Sequence, residues 1–138
     1  MCTVTFIPTT GGFHLTANRD EHISRSQALA PMKYVAGKNV LLYPSDTDKH
    51  GSWIAAKNNG DLAVLLNGAF IKHLPQPPYR KSRGLILKEI ITAAMPERYF
   101  RSINLDAVEP FTIILFAGGN LYECRWDEEK KHVRLLNN

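Results

Sequence analysis

Cysteine is scarce in this chain: Cys2 and Cys124 are the only two. Two thiols cannot form the disulfide framework that staples small secreted domains. Long apolar runs are missing as well. No stretch approaches the roughly 20 residues that a membrane-crossing helix needs. The start of the chain lacks a signal-peptide pattern, because Asp20 and Glu21 follow a first apolar run that is short and partly polar. The expectation is a soluble, cytoplasmic protein with no membrane span. There is no internal repeat and no low-complexity stretch. The net charge of +4 is mild and forms no basic stripe, so no nucleic-acid partner is expected.

What remains is an ordinary globular composition. The 138 residues, 44% of them apolar, suit a single domain (1–138) with a modest core. Residues 1–7 and 13–17 alternate apolar and polar around a turn at Pro8–Gly12, which predicts an antiparallel hairpin. Residues 28–31 read as turn-like, and residues 39–43 as a strand ended by Pro44. Residues 52–56 and 61–66 flank an Asn-Gly turn, predicting a hairpin in mid-sheet. Prolines 75, 77 and 78 keep helix out of residues 69–83, a basic loop with Lys72, His73, Arg80, Lys81 and Arg83 that feeds a helix start near residues 81–82. The apolar stripe over residues 84–95 predicts a core helix rather than a cofactor box, and a short helix from Pro96 follows. Strands are expected at 111–117, 121–126 and 132–136. Strands, then helices, then strands predict an α+β fold with mostly antiparallel sheet.

Chemistry concentrates at the two ends of the first hairpin. Removal of Met1 would make Cys2 the N-terminal residue, with thiol and α-amine on one carbon. A thiolate is a strong nucleophile. A free α-amine titrates near roughly 7.7–8.0, low enough to serve as its base. Hairpin pairing sets Cys2 opposite Asn18 and Arg19, where a guanidinium favours the charged form of a thiol. Asp20 would orient Arg19 or accept from the amine. If Met1 is retained, the amine is blocked. The alternative is a small hydrophobe on a first strand and a solvated Asn-Arg-Asp-Glu turn.

Residues 1–3 (Met-Cys-Thr) with Asn18-Arg19-Asp20-Glu21 resemble the NRDE family, also called the transport and Golgi organisation 2 family. Residues 51–55 (Gly-Ser-Trp-Ile-Ala) and 59–68 (Asn-Gly-Asp-Leu-Ala-Val-Leu-Leu-Asn-Gly) match the same pattern. The family is similar to N-terminal nucleophile hydrolases, and among those to the cysteine amidases that cleave bile-acid conjugates and penicillin V. The resemblance implies an αββα sandwich. Relatives are usually longer, so the fold is expected to be incomplete at the C-terminus, with an uncovered sheet face and self-association into a homo-oligomer as consequences.

The implied catalytic set is Cys2, Arg19, Asp20 and Asn67, with Asn67 donating to the oxyanion. Its alternative is a turn-former before Gly68. Asn18, Arg25 and Trp53 are assigned to substrate binding, though Arg25 also reads as an exposed loop residue. The expected function is amidohydrolysis of a small-molecule substrate. The alternatives are a carrier of a hydrophobic anion, such as an acyl thioester or haem, or an inactive fragment. No cofactor is expected. Asp46, Asp48 and His50 share a polar loop that could flank the cleft, but their spacing fits no metal motif, so no metal is assigned. Cys124 is expected to be a buried structural thiol.

Overall fold

The alternation between Val4 and Ala17 builds a two-stranded ribbon. A computed structural model describes residues 2–19, Ser24 and residues 26–136. In it, β1 (Thr3–Thr9) and β2 (Gly12–Asn18) pair from Thr3 with Asn18 to Thr9 with Gly12. The turn is shorter than the sequence suggests: Thr10 and Gly11 alone make it, and Pro8 lies within β1 opposite Phe13. Val4, Phe6, Phe13, Leu15 and Ala17 are half-buried on one side, and the threonines face outward.

Seven further strands form one antiparallel sheet in simple chain order. They are β3 (Leu29–Ala36), β4 (Asn39–Ser45), β5 (Ile54–Lys57), β6 (Leu62–Asn67), β7 (Phe111–Ala117), β8 (Asn120–Trp126) and β9 (Lys131–Leu136). Between β6 and β7 the chain leaves the sheet for α1 (Arg83–Thr92) and α2 (Pro96–Ser102). Ser82 caps α1, its Oγ accepting from the Leu85 N–H at 3.4 Å. Pro96 stands at the start of α2, where its missing N–H costs nothing. The helix expected over 84–95 ends early, at Thr92. Met95 precedes a proline and is kept out of helical backbone, and the carbonyl of Ala93 is taken by the Lys57 ammonium at 2.7 Å.

Both helices pack on one face of the sheet. Ile86, Leu87, Ile90, Ile91 and Phe100 meet Ala55, Ala63, Ile113 and Leu115 in a core with almost no solvent contact. The ribbon covers the middle of the other face: Phe13 lies 4.4 Å from the Phe116 ring and 4.8 Å from Phe6, centroid to centroid. The layers are thus helices, seven-stranded sheet and ribbon, an α+β arrangement dominated by antiparallel strands. Toward β3 the ribbon's face of the sheet stays open, and Val35 and Leu42 are 78% and 45% exposed. Among the described residues no helix is long and apolar enough to cross a membrane.

Two further features depart from the sequence reading. β3 occupies residues read as turn-like at its start. It is an edge strand exposed over most of its length, so it lacks the alternation that marks a half-buried strand. Pro44 lies inside β4 rather than ending it. The register with β3 shifts between Leu29 and Met32, leaving no regular ladder bond for Pro44 to lose.

Candidate active site

The last ribbon pair is Thr3 with Asn18, so Cys2 and Arg19 stand one residue further on, side by side. Both are half-buried, in phase with the inward side chains of the ribbon. Beneath them β6 ends at Asn67, paired with Phe111, and the chain turns away through Gly68 at φ 83°. Cys2, Arg19 and Asn67 line one cleft of about 100 Å³. Trp53, Asp46, Lys49, Arg83 and Glu109 complete its walls.

Arg19 is held from two sides. Its guanidinium carbon lies 3.7 Å from the centroid of the Trp53 ring. Its Nη2 lies 4.0 Å from Asp46 Oδ2. A cation over an aromatic face in a partly dry site gains on the order of 1–2 kcal/mol. Asp46 is itself fixed: its Oδ1 accepts from the backbone N–H of Asp48 (3.0 Å) and Lys49 (2.8 Å). Bonds from Asp46 N to Gly51 O and from His50 N to Asp46 O, both 2.9 Å, close this loop.

The loop is pressed against the start of α1. Ser52 N donates to Gly84 O at 3.2 Å, and a Cβ added at Gly51 would come within 2.8 Å of the Gly84 backbone. Two glycines therefore let backbone touch backbone, which brings Ser82 and Arg83 to the cleft wall. Arg83 Nη2 lies 3.4 Å from Glu109 Oε2, and its Nη1 donates to Pro110 O at 3.3 Å. Glu109 Oε1 faces His73 Nε2 at 3.6 Å.

A second, larger cleft of about 440 Å³ opens from the same two residues, Cys2 and Asn67. Its lining runs across the sheet through Leu66, Thr112 and Ile114 to Glu123 and Arg125. Arg125 Nη2 donates to Glu123 Oε2 at 2.7 Å and Nη1 to Ala69 O at 2.8 Å. The Arg125 hydrogen bond holds the Glu123 carboxyl below the usual carboxylate range against a smaller opposing effect of burial, and the Arg125 and Arg134 charges add to the lowering.

Cys2, Arg19, Trp53 and Asn67, named from the sequence, thus meet at one cleft. Trp53 is already occupied, its face carrying Arg19. Asn18 is exposed on the outward side of the ribbon and lines neither cleft. Asp20 and Arg25, and Met1 with the question of the free amine, lie outside the described residues. Asp46 serves Arg19 and its own loop. Among the described residues no group of three or more His, Cys, Asp or Glu side chains is placed to hold a metal ion. Glu109 and the Glu123–Arg125 pair escape sequence reading, because distant elements deliver them. The Gly51–Gly84 contact behind Arg83 has no local signature either. Cys124 is 1% exposed, and desolvation, with the nearby Glu97 charge, pushes its thiol up to about 12.

The β-ribbon thus lies over a helix-backed antiparallel sheet, with Cys2 and Arg19 at its open end. The family model for Transport and Golgi organisation 2 matches residues 1–138, and the chain belongs to that family. No curated protein and no solved structure matches it.

Proposed function

We propose that the chain acts as a cysteine hydrolase of the N-terminal nucleophile type, cleaving the C–N bond of a small amide. The observation that carries this reading is the convergence of Cys2, Arg19 and Asn67 on one cleft, from three separate segments. The ribbon over a helix-backed sheet would be the corresponding part of an αββα sandwich, whose second helical layer would lie on the ribbon's outer face.

In protein freed of Met1, the α-amine of Cys2 takes the thiol proton and the sulfur adds to the amide carbonyl carbon. The oxygen gains negative charge, to which the Asn67 side-chain amide donates; one such donor is worth about 10²–10³ in rate. The intermediate collapses, the C–N bond breaks, and the proton passes to the leaving amine. A thioester on Cys2 remains. Water attacks it with the same amine as base, releasing a carboxylic acid and restoring the thiol. Arg19 keeps positive charge beside the sulfur, and its clamp between Trp53 and Asp46 limits the reorganisation needed during reaction. Asp20, adjacent in sequence, is assigned the role of partner to the amine.

The test uses 4-nitrophenyl acetate, an activated acyl donor. The expected result is a stoichiometric burst of nitrophenolate, an acetyl group on the Cys2 peptide and slower turnover, all lost in Cys2→Ala. A burst that persists in Cys2→Ala removes the nucleophile. An acetyl group that stays on Cys2 without turnover favours a carrier over a hydrolase.

A further inference from the structure

We infer that the substrate straddles Cys2, with one arm in the second cleft that is apolar beside the scissile bond and ends in an anionic group met by Arg125 and Arg134. This rests on Cys2 being the nucleophile. The two clefts share only Cys2 and Asn67, so a molecule reacting there has an arm on each side. The first cleft is small, and Arg19 with Asp46 and Arg83 with Glu109 are paired across it. The second, at about 440 Å³, has the size of a small-molecule site.

Its chemistry changes along its length. Next to Asn67 it presents Leu66 and Ile114. In register, Ile114 stands beside Glu123 and Thr112 beside Arg125, so the charged end is two strand spacings from β6. That is about 10 Å, the reach of roughly eight bonds in an extended chain. At that end Glu123 carries two guanidiniums: Arg125 Nη2 at 2.7 Å and Arg134 Nε at 3.7 Å from its oxygens. Asp127, the nearest other carboxylate in sequence, turns onto its own loop, accepting from Glu129 N and Lys130 N and meeting His132 Nε2 at 2.6 Å. The local balance at Glu123 is therefore positive. Arg125 is also short of a partner: its Nε is buried with no acceptor among the described residues. Anchored on Ala69 O and against the Phe70 ring, it offers a fixed cation at that end of the cleft. A carboxylate, sulfonate or phosphate is the group that such a pair of guanidiniums binds.

Three chloroacetamides test this: those of 6-aminohexanoate, of its methyl ester and of an amine of equal length. In each the Cys2 sulfur displaces chloride and forms a thioether, and peptide mass spectrometry gives the rate at each cysteine. The carboxylate probe is expected to label Cys2 about tenfold faster than the ester, the gain of one charge-assisted pair, and the ammonium probe slowest. Arg125→Gln and Arg134→Gln should each shrink that ratio. Glu123→Gln should widen it, which loss of a merely structural pair would not do. Arg134 is 71% exposed, so its variant keeps the test open if Arg125→Gln misfolds. Equal rates for carboxylate and ester, or a preference that survives Arg134→Gln and Arg125→Gln, would overturn the anionic arm while leaving Cys2 as nucleophile. Labelling of Cys2 by all three probes no faster than Cys124 would remove both readings.

Discussion

Lys57 is the side chain whose loss should most damage the fold. It sits at the end of β5 with its side chain 3% exposed, facing Asp61 at 7%. Its Nζ donates to Ala93 O at 2.7 Å, just beyond α1, and lies 3.8 Å from Asp61 Oδ2. Asp61 also accepts from Asn59 Nδ2 at 2.9 Å and from Gly118 N at 3.3 Å. One ammonium thus ties the β5–β6 turn to the end of α1, and its partner reaches the β7–β8 turn. Lys57→Met keeps most of the stem volume, so little cavity forms. What it removes is the charge, stranding a buried carboxylate and a helix-end carbonyl. Removing one member of a buried pair costs about 3–5 kcal/mol. With a urea slope of about 1–3 kcal/mol per molar, the unfolding midpoint should fall by at least about 1 M. Adding Asp61→Asn to Lys57→Met removes the stranded charge and should recover a large share of the loss. A midpoint within about 0.3 M of wild type, or a double variant no better than the single, would refute the reasoning.

Three further outcomes follow from the same geometry. Gly51→Ala should destabilise by about 1–3 kcal/mol through overpacking, since its Cβ would meet the Gly84 backbone at 2.8 Å; unchanged stability would mean that loop and helix do not touch. Phe13→Ala should raise amide exchange in β1 and β2 while β7 and β8 stay protected, because Phe13 fastens the ribbon to Phe116; uniform loss of protection would contradict a separately docked ribbon. Glu123, held below its ordinary 4.5 chiefly by the Arg125 hydrogen bond, contributes stability that is present above the unfolded value and lost as pH falls through the folded one. Acid titration of the urea midpoint below about pH 4.5 should therefore be shallower in Glu123→Gln, and identical slopes would contradict the pairing.

Local pattern carried much of the fold. The ribbon was legible because Val4, Phe6, Leu15 and Ala17 alternate with threonines, and the β7–β8 hairpin because apolar runs flank Gly118-Gly119. β3 was illegible because an exposed edge strand has little burial pattern to display. Pro44 misled because its lost N–H matters only where a ladder bond is due, and that depends on an irregularity in another strand. At the candidate site, Cys2 and Arg19 were readable from hairpin register alone. Asn67 was readable as a strand end following an Asn-Gly turn. The meeting of Arg83 with Glu109 was not, since the first residue of α1 and a residue beyond α2 come together only after α1 packs beside Gly51. Lys57 reads from sequence as a turn lysine, and its burial depends on where α1 ends.

The central claim is that Cys2 is an activated nucleophile served by Arg19 and its own amine. Timed alkylation with iodoacetamide, read by peptide mass spectrometry, tests it most directly. Cys124 provides an internal reference: with its thiol pushed up to about 12 and 1% exposed, it should label only as the protein opens. In protein freed of Met1, Cys2 should label much faster than Cys124, which is buried and has its thiol pushed up by desolvation. Arg19→Ala should slow Cys2 severalfold, and a form retaining Met1 should slow it again. Equal rates at the two cysteines, or a fast Cys2 indifferent to both changes, would contradict the account.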